Sequence, residues 1–209
     1  MHFILTHPRE VGTLTAEHLW LVGLSMLIAV VIGVPLGILL TRRPKMRALV
    51  LGSANIIQTI PSLALFGLLL PVPWLGARAG RLAVIALALY ALLPIVRNTF
   101  VGISGVSAPV REAAVAMGLT SRQLLTMVEL PLASPVILAG IRTAVVITIG
   151  VATIAAAIGA GGLGEFIFRG IAMVDNGVIL AGALPAAAMA LVADAGLGAL
   201  EKRLARRGH

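Results

Sequence analysis

Few residues in this chain of 209 are of a type that does chemistry, and their placement argues against catalysis. Cysteine is absent, which removes thiol chemistry, disulfides and cysteine-ligated metals. The four histidines, His2, His7, His18 and His209, lie outside the apolar runs, and no His/Asp/Glu group has metal-ligand spacing. Gly102-Ile103-Ser104-Gly105 places a serine between glycines, but a serine nucleophile needs a base within reach and none is in range. Gly159-Ala160-Gly161-Gly162-Leu163-Gly164 fits G-x-G-x-x-G. With no strand before it and no acidic residue about twenty positions on, it reads as a flexible glycine turn. No G-x-x-x-x-G-K-[ST] run occurs, so any nucleotide that drives this protein must sit on another polypeptide. What remains is a short set of polar groups in apolar surroundings. Gln58, Thr59 and Ser62 flank Pro61 and could line a pathway or gate; Arg142 and Asp194 lie in two separate apolar runs and could pair. Glu112-Ala113-Ala114 opens a polar segment between two such runs.

The elements that would carry these residues follow from composition. Hydrophobic residues make up 59% and charged residues 11%, against about 25% charged in ordinary soluble domains. Mean hydropathy is +1.07. A soluble chain this apolar could not cover its surface with polar groups, so the bilayer is the solvent that fits. Residues 19–40 form a charge-free stretch long enough to cross a hydrocarbon core of about 30 Å. Further spans are expected over 49–70, over 82–96 with continuation past Arg97, over 131–157, and over 177–200. Pro35, Pro61, Pro94 and Pro135 lie within these runs and imply kinks that neighbouring helices must satisfy. The fold class is therefore an all-α integral membrane protein with five transmembrane helices.

Orientation comes from the basic residues. Arg42, Arg43, Lys45 and Arg47 fall in the first loop, Arg97, Arg111 and Arg122 in the third, and Lys202, Arg203, Arg206 and Arg207 in the tail. These segments share one side, which the positive-inside rule makes cytoplasmic, with the N-terminus outside and the C-terminus inside. The net charge of +8 is thus a topology signal with anionic lipid as its partner, not the footprint of a nucleic-acid binder. No basic n-region or cleavage site precedes the first apolar run, so no cleavable signal peptide is expected and the first span directs insertion. Expected units are an extracytoplasmic segment 1–18, a membrane domain 19–198 and a basic cytoplasmic tail 199–209.

The polar segment at about 108–130 is the most informative stretch. Glu112 to Met117 favours helix, Gly118 permits a left-handed break, and Thr120 and Gln123 have capping-box spacing for a second short helix. Pro131 sits where a helix can restart as the fourth span. Ala113 and Ala114 leave a flat small-residue face for the close approach of another protein. Glu112, Ala113, Ala114, Gly118, Leu130 and Pro131, with Val128 in an aliphatic position, match the spacing of the cytoplasmic "EAA" loop. The segment resembles that loop of binding-protein-dependent ABC importer permeases. Gln58-Thr59-Ile60-Pro61-Ser62-Leu63 and Gly161-Gly162-Leu163-Gly164-Glu165-Phe166 are similar to segments of the glycine betaine, carnitine and choline uptake permeases.

The resemblance implies a transport subunit of the bacterial inner membrane, multi-pass, without enzymatic activity or cofactor of its own. ATP would be bound by a separate ABC ATPase subunit present in two copies. A second permease subunit, identical or homologous, and an extracytoplasmic solute-binding protein complete the assembly. Glu112, Ala113, Ala114, Gly118 and Pro131 are the implied ATPase-coupling residues, and the implied solute is a quaternary ammonium osmoprotectant. Such a solute wants an aromatic cage, yet the chain has two Trp, one Tyr and five Phe with no aromatic cluster, which places the cage on the binding protein. The rival readings are an importer for amino acids or another small solute, a secondary carrier, and a membrane anchor.

Overall fold

A computed structural model describes residues 6–207 and contains helices only among them. Helix α1 spans Pro8–Arg42, α2 Pro44–Thr59, α3 Ser62–Leu69, α4 Pro73–Gly76, α5 Ala79–Ser104 and α6 Ala108–Ala116. Helix α7 (Ser121–Gln123) runs through a π-helical segment, Leu124–Glu129, into α8 (Leu130–Ile154) and a terminal 3-10 turn, Ala155–Ile158. Helix α9 covers Gly164–Met173 and α10 Asn176–Arg207.

Four helices are long and apolar enough to cross a membrane: α1, α5, the continuous stretch 121–158, and α10. The second expected span differs from expectation. It is a broken pair, α2 and α3, bent by 102°. The cause is local. Pro61 has no N–H to continue the ladder, and the residue before a proline is driven out of the helical region; Ile60 accordingly sits at φ −69°, ψ 127°. The freed backbone is satisfied from α5. The Tyr90 hydroxyl donates to the Ile60 carbonyl, and Gln58 Nε2 donates to the Tyr90 carbonyl at 2.9 Å. A polar break at membrane depth survives because a neighbouring helix supplies the missing partners.

Helix α5 is the centre of the bundle, with 67% of its spanning window buried inside the protein. Leu82, Ala83, Ala86, Leu87, Ala91 and Ile95 are fully enclosed. It packs against α1 on one side and α8 on the other, while α10 packs on α8 and α9. Glycine allows the close contacts: a Cβ on Gly37 would stand 2.6 Å from Thr99 Cβ, and one on Gly140 2.5 Å from Asn98 Cβ and 2.7 Å from the Pro94 carbonyl oxygen. This is the small-residue packing used between helices in lipid, where no hydrophobic force distinguishes a neighbour from an acyl chain. Trp20, Leu27, Val31, Leu191 and Val192 point outward, consistent with an apolar solvent.

Helix α1 starts at Pro8, well before residue 19, and α10 remains helical through the basic tail to Arg207. At 35 residues α1 is about 50 Å long and must project beyond the hydrocarbon core. Its N-terminal part meets the glycine turn. Gly159, Gly161 and Gly162 all have φ near +80°, a region that disfavours side chains. The Gly162 amide donates to Glu17 Oε2 at 3.1 Å. The turn's amide is thus met by the protein's own carboxylate. His18 beside it is wholly buried, with Nε2 3.2 Å from the Ile149 carbonyl oxygen.

Candidate functional site

At one end of the bundle the chain between α5 and α8 folds into an elbow. Helix α6 opens with Pro109 in its first turn and closes on a left-handed Gly118, φ +85°. Leu119 N–H reaches the Ala114 carbonyl at 3.2 Å and Gly118 N–H the Val115 carbonyl at 2.9 Å, the paired bonds of a Schellman motif. The second arm starts in a capping box. Gln123 N–H donates to Thr120 Oγ1, and Thr120 N–H donates to Gln123 Oε1 at 2.9 Å. Both bends are therefore fixed by local chemistry that the sequence carries.

The structure separates residues that the sequence grouped. Ala114 is 2% exposed and turned inward, whereas Ala113 and Glu112 face out. The outward surface is completed by Val115 at 58% and Met117 at 74% exposure. It is a single carboxylate within an apolar, small-residue surface, a composition suited to a protein partner. Of the Ala113-Ala114 pair only Ala113 lies on that face, with Ala116 also exposed, because consecutive residues on a helix lie about 100° apart. Pro131 lies where a restart is expected, although no break precedes it. It occupies the first turn of α8 immediately after the π segment, whose register shift lets the chain continue unbroken from Ser121 to Ile158.

A second polar group lies along α8 and α10. Arg142 Nε donates to Asp194 Oδ1 at 2.6 Å and Nη2 to Asp194 Oδ2 at 3.2 Å, a two-pronged contact. Arg142 Nη1 also donates to Glu201 Oε2 at 3.2 Å. Asp194, Gly198 and Glu201 follow at helical spacing on one face, and a Cβ on Gly198 would stand 3.1 Å from Arg142 Nη1. Glu201 was missed by sequence reasoning, though its offset of seven from Asp194 was the available signal. The three charged groups border an open cavity of about 400 Å³ with Ala139, Thr143 and Val146. Removing Arg142 leaves two carboxylates facing each other. Arg142→Ala should lower folded yield in mild detergent several-fold. Pairing it with Asp194→Ala and Glu201→Ala should recover most of the loss, as read by size-exclusion chromatography and thermal melts.

The Gln58 amide is engaged by the Tyr90 carbonyl, Thr59 Oγ1 donates to its own helix at Ile56, Thr59 and Pro61 are exposed, and Ser62 is half-buried. In the loop before α10, Asp175 Oδ1 accepts from Gly177 N–H at 2.8 Å and Val178 N–H at 3.3 Å, capping the last helix. Arg169 pairs with Glu10 at 2.7 Å.

Comparison with known proteins fits this geometry. The chain is 46% identical over its full length to 98% of the osmoprotectant import permease protein OsmW of Salmonella typhimurium. It is 45% identical, over 91% of its length and 86% of the relative's, to the carnitine transport permease protein OpuCB of Listeria monocytogenes. It is 38% identical, over all of its length and 94% of the relative's, to the glycine betaine/carnitine/choline permease OpuCB of Bacillus subtilis. Among solved structures, a chain of the inward-facing MetNI methionine ABC transporter superposes with a TM-score of 0.82 at 23% identity, covering 98% of each chain, which is a likeness of fold. Residues 33–206 match the family described as the binding-protein-dependent transport system inner membrane component. With the elbow at one end of a helical bundle and this match across most of the chain, the protein belongs to that family of ABC importer permeases.

Proposed function

We propose that this chain is half of a paired permease that imports a quaternary ammonium osmoprotectant, such as glycine betaine, carnitine or choline, by alternating access. The elbow carries this reading. It presents Glu112, Ala113, Val115 and Met117 outward at the end of the bundle where the basic loops gather, the side that the positive-inside rule makes cytoplasmic. An ABC ATPase, two copies per assembly, binds ATP and receives this surface in a cleft. Closure of the ATPases pushes α6, and the bundle tilts so that the pathway opens on the other side. The opposite end, with Asp175 and the Arg169–Glu10 pair, faces an extracytoplasmic binding protein that captures the solute. Helix α10 and the exposed flank of α8 meet the second permease, identical or homologous, since charged groups at Arg142, Asp194 and Glu201 are poorly placed against lipid. Thr59, Pro61 and Ser62 at the α2–α3 break border the pathway.

The solute class rests on the relatives of 38–46% identity, each named for osmoprotectant, carnitine, choline or glycine betaine transport. Proteoliposomes holding the chain with its ATPase, supplied with binding protein outside and ATP inside, test it directly. Labelled glycine betaine, carnitine or choline should accumulate at least tenfold faster than methionine or histidine, and only with ATP. Preferential uptake of an amino acid overturns the solute assignment; uptake driven by an ion gradient without ATP overturns the importer reading itself.

A further inference from the structure

Glu129 lies between the elbow and the span that follows it, and its carboxylate is 0% exposed. A buried carboxylate is strongly unfavourable unless opposite charge and hydrogen bonds compensate it. Two arginines do so, from different parts of the fold. Arg42, in the last turn of α1, donates from Nη2 to Glu129 Oε2. Arg111, in α6 directly before Glu112, stands with Nε 3.1 Å from Glu129 Oε1, an ion pair without the alignment of a hydrogen bond. Arg111 also donates from Nη2 to the Ile103 carbonyl near the end of α5. One carboxylate thus joins the foot of α8 to α1 and α6, and through Arg111 to α5.

The placement has a mechanical consequence. The backbone leading into α6 passes through Gly105 to Ser107, and the backbone leaving it passes through Gly118 at φ +85°. A displacement of α6 reaches the bundle either through the backbone at these joints or through a side-chain link that spans them. Glu129 spans the second joint through its ion pair with Arg111, whose bond to the Ile103 carbonyl spans the first. It also sits at the last residue of the π-helical segment, a widened turn of a kind frequent at functional sites.

We infer that Glu129 is the transmission joint of the permease: through Arg111 and Arg42 its buried carboxylate passes the displacement of α6 to the ends of α1, α5 and α8. It is a positioning residue, acting through the two arginines and not on the solute. The inference rests on the ABC-importer reading and deepens it.

The test uses the complete transporter, with ATPase and binding protein, in proteoliposomes, and measures solute imported per ATP hydrolysed. Wild-type uptake that depends on ATP secures the underlying reading before any variant is considered; its absence would sink that reading and not this one. Glu129→Gln keeps shape and removes charge, and Arg111→Gln removes the tether while Arg42 still neutralises the carboxylate. Each should retain copurifying ATPase and lower the transported-solute-to-ATP ratio about tenfold, with hydrolysis falling far less than uptake. A purely structural residue would lower both in parallel, and that result, or an unchanged ratio, overturns the inference. If Glu129→Gln fails to accumulate, Arg111→Gln decides on the same ratio.

Discussion

Lysine in place of Glu112 should abolish ATP-driven uptake while the permease still accumulates as a folded membrane protein. Glu112 is exposed on α6, so its replacement should leave the bundle intact. On the proposed docking surface it is the single carboxylate among apolar and small residues, so a docked ATPase would need a cation to meet it. Losing one partner of a desolvated charge pair costs about 2 kcal/mol or more, and a like charge in its place adds repulsion. The affinity of the ATPase for the permease should therefore fall about 30-fold or further, measured by copurification at graded ATPase concentration. Leucine at the neighbouring alanines separates docking from folding. Ala113→Leu adds bulk to the outward face and should block docking at unchanged melting temperature. Ala114→Leu forces bulk into a buried position and should lower the melting temperature as well. Wild-type ATPase affinity in Glu112→Lys would remove α6 from the docking surface.

Leucine at Gly140 should nearly eliminate the folded subunit. A Cβ there would stand 2.5 Å from Asn98 Cβ and 2.7 Å from the Pro94 carbonyl oxygen, so backbone as well as side chain must move. The contact lies between α8 and α5, the central helix of the bundle, and overpacking of this kind costs about 3 kcal/mol or more when the helices cannot separate locally. Gly23→Leu is the matched control. Nothing lies within 4 Å of its Cβ position, and it shares an outward stripe with Trp20 and Leu27. Detergent-extracted Gly140→Leu should elute mainly as aggregate, and Gly23→Leu as wild type. Equal behaviour of the two would mean that α5 and α8 do not pack as described.

Both variants draw on features of different legibility. The apolar runs, the helical class and the elbow were readable because their causes are local. Hydropathy sets membrane residence within a single run, and only glycine readily takes the φ of +85° found at residue 118. Thr120 and Gln123 satisfy each other across three residues without help from the rest of the protein. The same locality explains why Arg142 and Asp194 stood out, since any charge in an apolar run is conspicuous.

What the tertiary structure alone decided depends on residues distant in sequence. Pro61 announced a break, but the 102° bend is stabilised by Tyr90 and Gln58, 32 positions apart. Gly140 is one of 23 glycines, and only the approach of Pro94 and Asn98 marks it as indispensable. No local pattern singles out Glu129; folding encloses it and brings Arg42 from 87 positions away. Periodicity and propensity are properties of neighbours along the chain, whereas burial and ion pairing are properties of neighbours in space. The first determined that this protein spans a membrane and carries an elbow; the second determined how the elbow is tied to the bundle.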